Sequence, residues 1–104
     1  MIIQFNTDNN INGGERLNEY FETTISESLN RFNSQITRVV VHLADENSSK
    51  EGQNDKRCTL EARLEGLQPI AVTSNENTIE QAVKSALDKL KSAMDTAIGK
   101  LRNH

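Results

Sequence analysis

At 104 residues the chain has room for a single domain around a single core. Its 15 acidic and 12 basic residues leave a formal net charge of −3, the wrong sign for a protein held to nucleic acid by overall charge, although a local basic patch still acts within the ~8 Å screening length of physiological salt. No run approaches the ~20 apolar residues of a membrane span, the N-terminus lacks the basic flank and apolar run of a secretory leader, and the only cysteine, Cys58, leaves no partner for an internal disulfide.

Residues 1–6 are short, β-branched and aromatic, and they stop at the polar run of residues 7–10, which predicts a first strand. Apolar residues then fall at Leu17, Tyr20, Phe21, Ile25, Leu29 and Phe32, the three-and-four spacing of one buried helical face. The start of this helix is expected between Asn12 and Gly14. A capping box from Asn12 to Glu15 would put both glycines in the first turn, at on the order of 1 kcal/mol each against alanine.

From residue 36 to 44 the period changes to two. Val39, Val41 and Leu43 lie on one side and Arg38, Val40 and His42 on the other, a second strand. The all-polar residues 47–55 read as a mobile hairpin loop. A third strand follows, with Cys58, Leu60, Ala62 and Leu64 pointing one way and Arg57, Thr59, Glu61, Arg63 and Glu65 the other. After a tight turn over residues 65–68, residues 69–74 form a fourth strand whose Pro69 sits at its start, where a missing N–H does least harm. The last element is a long amphipathic helix. Asn77 is the expected N-cap with Glu80 three positions on, and Ile79, Val83, Ala86, Leu87, Leu90, Met94, Ala97 and Leu101 trace its apolar stripe. Opposite the stripe, Glu80, Lys84, Asp88, Lys91, Asp95 and Arg102 alternate in sign, with Glu80 to Lys84 in the order that favours an ion pair.

Two helices with one apolar stripe each and strands with one apolar side each are satisfied together when both helices cover one face of a four-stranded sheet. The expected fold is therefore α+β, in the order β-α-β-β-β-α, as one domain over residues 1–104. The first two strands are parallel through a right-handed crossover and the rest are antiparallel hairpin neighbours. The other sheet face stays polar or becomes an interface.

Catalytic groups are not brought together by this pattern. Cys58 falls on the apolar side of its strand, where a thiol packs as a small hydrophobe with a raised pKa. His42 reads as a solvated strand residue, and His104 ends a helix that frays. Glu61 and Glu65 share a strand face but have Arg57 and Arg63 as neighbours, so cross-strand salt links account for them. Gly13-Gly14 lacks the spacing and lysine of a phosphate loop. One thiol and two scattered histidines make no metal site, and no cofactor fingerprint is present. With aromatics limited to Phe5, Tyr20, Phe21 and Phe32, stacking on single strands is not expected. The remaining candidate is the outer surface of the last helix. Lys84, Lys91 and Arg102 share one line, and Lys89 and Lys100 lie on a neighbouring polar strip. A cationic strip can track a phosphate backbone. Interrupted by Asp88 and Asp95, it also reads as an ordinary solvated face.

The segment Arg57-Cys58-Thr59-Leu60-Glu61-Ala62-Arg63, the strand ending Ala71-Val72-Thr73, and Ile79-Glu80-Gln81-Ala82-Val83 running into Leu87-Asp88-Lys89-Leu90 resemble the ribosome hibernation promoting factor and ribosome-associated inhibitor family, also described as sigma-54 modulation proteins. The first helix, from Leu17-Asn18-Glu19-Tyr20-Phe21 to Leu29-Asn30-Arg31-Phe32, is similar to that family's opening helix, and the resemblance covers essentially the whole chain. It implies a cytoplasmic, non-enzymatic factor that binds the small ribosomal subunit in the channel used by messenger and transfer RNA and silences idle ribosomes in stationary phase or stress. Neither a cofactor nor a small-molecule substrate nor a membrane is implied. Ribosomal RNA would meet basic residues of the two helices, which carry over to Lys84, Lys89, Lys91, Lys100 and Arg102, with Arg16 and Arg31 from the first helix. The chain resembles a short form, ending where long forms continue into a dimerising domain. It departs from short members after Asp-Lys-Leu, where Lys91-Ser92-Ala93-Met94-Asp95-Thr96-Ala97-Ile98-Gly99-Lys100 replaces a dense basic run. Fewer phosphate contacts weaken binding and flatten its salt dependence. The alternative is a protein-interaction or stress module that forms a weak homodimer through the outer sheet face with Val40, His42 and Thr59.

Overall fold

The structure is a computed structural model that describes residues 1–7, 14–45 and 55–102, with the side chains of residues 7, 14, 15 and 100–102 outside that description. Its elements are β1 (Ile2–Thr7), α1 (Gly14–Ser28), β2 (Ile36–Asp45), β3 (Lys56–Leu64), β4 (Ile70–Glu76) and α2 (Ile79–Arg102). This is the expected α+β order. Of the expected hairpin loop, only Asp55 belongs to the described residues, and Asn12 and His104 also lie outside them.

The strands lie in the order β1-β2-β3-β4. β1 is parallel to β2, because the chain returns through a helix, and β2, β3 and β4 are antiparallel in succession. Val39, Val41 and Leu43 of β2 and Cys58, Leu60, Ala62 and Leu64 of β3 are all buried. They join Phe21 and Ile25 of α1 and Val83, Leu87, Leu90 and Met94 of α2 in one cluster. Both helices therefore cover the same sheet face, with α2 over β3 and β4 and α1 beside β1. At ~1.5–3 kcal/mol for each large apolar side chain fully buried, this cluster is the main source of stability.

Three local features differ from the periodicity reading. Ile36 is as buried as Val39, although residues three apart on a regular strand face opposite ways. Ile36 pairs with Leu64 and Arg38 with Arg63, so Thr37 is the extra residue of a bulge that resets the phase. Its Oγ1 donates to the Arg63 carbonyl at 3.0 Å. Second, α1 ends at Ser28, and a 3₁₀ turn over Asn30–Phe32 follows. The Phe32 amide donates to the Leu29 carbonyl at 2.9 Å. Three residues per turn stack Leu29 and Phe32 on one side, and both are buried. Third, Tyr20 leaves the core: it is 55 % exposed and sets its ring edge-on to Phe21, 5.1 Å away.

The N-cap of α2 is Thr78, one residue after the expected Asn77. Thr78 Oγ1 accepts from the Gln81 amide at 3.1 Å, and the Thr78 carbonyl accepts the first helical bond, from Ala82, at 3.0 Å. The capping residue is the one whose carbonyl opens the ladder. On the outer sheet face Val40 is only 6 % exposed, flanked across the ladders by Gln4 and Glu61. That face is therefore less wet than strict alternation implies. Between β3 and β4 the chain turns at Gly66, whose φ of 75° suits a residue without a Cβ.

Candidate nucleic-acid interface

Residues seven apart on a helix stand two turns above one another, so Lys84 and Lys91 form one column of α2. The column lines a groove of about 310 Å³ between α2 and α1, whose far wall includes Tyr20, Thr24 and Ser28. Lys84 is exposed and does not pair with Glu80 as the four-residue spacing suggests. Lys91 keeps 33 % of its side chain exposed and approaches Asp88 at 3.8 Å. A contact this long on an exposed face holds little energy. The two lysines are thus neither buried nor locked to carboxylates, but Glu80 and Asp88 share the groove and offset their charge.

Lys89 belongs to a different side of the helix. Its ammonium donates to the Thr73 carbonyl of β4 at 2.8 Å, and one turn earlier Ser85 accepts from the buried Ser74 hydroxyl at 2.6 Å. The two neighbouring strips read from sequence therefore have different surroundings, with Lys84 and Lys91 on the groove and Lys89 on β4. Arg31 makes a two-pronged contact with Asp95, at 2.9 and 3.0 Å, and lies 4.2 Å over the Phe32 ring. That hydrogen bonding raises the Arg31 guanidinium and holds the Asp95 carboxyl below its ordinary value. Arg16 is exposed beside Leu17, Tyr20 and Glu80 at the mouth of the groove. The side chains of Lys100 and Arg102 lie outside the described residues.

The chemistry-bearing residues elsewhere stay apart. Cys58 is fully buried, and burial pushes its thiol up to about 12. His42 is exposed on the outer face of β2. Glu61 pairs with Arg63 at 3.1 Å along the same strand, rather than across strands as expected, because side chains two residues apart share a face. Among the described residues no three metal-ligating side chains converge, and no helix is long and apolar enough to cross a membrane. Sequence reading missed the exposure of Tyr20, and it missed that Arg38 and Arg63 stand directly opposite each other. Alternation put both on the outer face, but only the bulged register makes them partners.

Three comparisons with known proteins bear on this geometry. The fold is shared with the crystal structure of the Thermus thermophilus Protein Y N-terminal domain, at a TM-score of 0.70 and 17 % identity, over 89 % of this chain and 94 % of that one. A search of the curated proteins found no significant match. The family model described as sigma 54 modulation protein / S30EA ribosomal protein matches residues 3–102, nearly every element from β1 to the end of α2. The chain belongs to that family.

Proposed function

We propose that this domain is a non-enzymatic ribosome-associated factor that docks on ribosomal RNA of the small subunit and modulates or inhibits translation in the cytoplasm under stress or in stationary phase. The family match over residues 3–102 carries this reading. The column of the exposed Lys84 and the partly exposed Lys91 supports it, since ammonium groups that solvent can reach displace the counterions condensed on phosphates. Lys84 and Lys91 are the leading contacts, with Arg16 beside them at the groove. Lys89 and Arg31 would have to exchange Thr73 and Asp95 for phosphate. Lys100 and Arg102 extend the same helix. Docking acts by occupying the channel of messenger and transfer RNA, and no bond is made or broken. The Glu80 and Asp88 carboxylates in the groove lower its net charge and weaken docking. The complex is expected to dissociate as salt rises, because each lysine–phosphate contact depends on counterion release.

Co-sedimentation with purified small subunits tests the proposal. The chain should enter the subunit fraction at low salt and leave it in part at moderate salt, and Lys84→Glu with Lys91→Glu should abolish association while leaving the melting curve intact. Absence of the wild-type chain from that fraction at both salts would remove the idea.

A further inference from the structure

The sheet face opposite the helices holds its own concentration of positive charge. Arg38 on β2 and Arg63 on β3 are direct partners in the antiparallel ladder, where Cβ atoms stand ~5 Å apart and like charges repel. Arg63 keeps 58 % of its side chain exposed, and Arg38 donates to the neutral amide oxygen of Gln4 at 3.1 Å. Glu61, on Arg63 at 3.1 Å, and the exposed Glu65 two residues beyond Arg63 offset part of this charge. Arg57 continues the same side of β3, and the Thr59 and Thr73 hydroxyls meet beside it at 3.0 Å. In the helical groove, by contrast, Lys84 and Lys91 face Glu80 and Asp88 in equal number. Among the described residues, Arg38, Arg57 and Arg63 thus outnumber Glu61 and Glu65 on the side away from the helices.

We propose that this outer sheet face is a second docking surface, which takes the phosphate backbone of RNA between Arg38 and Arg63. A phosphate there turns a like-charge repulsion into two charge-assisted contacts, and guanidinium forks match phosphate oxygens better than ammonium groups do. The strands present no phenylalanine, tyrosine or tryptophan on this side, so bases are not stacked and the contact reads backbone rather than sequence. Charge also selects RNA over a second copy of the chain. A two-fold contact through this face would bring together two copies of the same net-positive surface.

The test is fluorescence anisotropy of a labelled single-stranded RNA of mixed sequence, titrated with the full chain over a range of potassium chloride concentrations. Arg38→Gln with Arg63→Gln should bind more weakly, and the slope of log affinity on log salt should fall by about 1.4, two contacts at about 0.7 each. Its thermal midpoint should be unchanged or higher, because the repulsion is gone. Arg38→Lys with Arg63→Lys keeps both charges and should retain the slope. Lys84→Gln with Lys91→Gln should give a separate loss that adds to the arginine effect. Unchanged affinity and slope in the arginine-to-glutamine variant overturns the proposal, whatever the lysine variant does. So does a wild-type chain that binds no RNA at low salt, or a native mass showing a dimer that the same arginine substitutions dissolve.

Discussion

Cys58 sits on the inner face of β3 with no accessible surface, opposite Leu43 on one side and Ser74 on the other. Desolvation raises its thiol from the ordinary 9.0 to about 12. At about pH 8 a shift of that size makes the reactive thiolate roughly a thousandfold rarer than in an unfolded chain, before steric exclusion is counted. An aromatic disulfide reagent should therefore label the native protein more than a thousandfold more slowly than the urea-unfolded protein, at a rate set by opening of the domain. The same shift has a stability consequence. Above pH 9.0 the unfolded chain releases the Cys58 proton while the folded chain keeps it up to about 12, so unfolding gains about 1.4 kcal/mol per pH unit, roughly 4 kcal/mol over the window. Cys58→Ala lacks this dependence, so the difference between the two stability–pH curves isolates the thiol. Native labelling as fast as unfolded labelling, or parallel alkaline curves for both proteins, would refute the reasoning.

Leu90, fully buried under the sheet, leaves a cavity when shortened, and Leu90→Ala should cost about 2–5 kcal/mol in a urea titration. Thr78→Ala removes the side-chain acceptor of the Gln81 amide and should cost about 1 kcal/mol by thermal melting. The Arg31 contact holds Asp95 below its ordinary pKa, so its stabilisation is present above the unfolded carboxylate value and lost as pH falls through the lowered one. The gap in thermal midpoint between wild type and Asp95→Asn should therefore close on acidification.

What could be read from the amino-acid order follows the range of the forces involved. The two periods, two for Cys58 to Leu64 and near four for Ile79 to Met94, are local signals of burial, and they were enough to give the element order and the single covered face. The sheet order followed from short connections. Thr37 escaped notice because a bulge is a property of two strands, visible only when Ile36 meets Leu64. Tyr20 sits in step with the apolar stripe of α1, yet it stays exposed and lines the groove between the two helices. Arg31 and Asp95 are 64 residues apart, and no local pattern joins them. The helical period separated Lys89 from Lys84 and Lys91, but it did not show what each strip meets, β4 for Lys89 and the groove for Lys84 and Lys91.

The bond from Lys89 to the Thr73 carbonyl falls on the outermost strand of the sheet. An unpaired strand border is a template on which other chains add strands and grow into fibres, and a charge stationed there makes each addition costly, because the newcomer must bury the ammonium or evict it. By this contact the domain guards one border against templated aggregation.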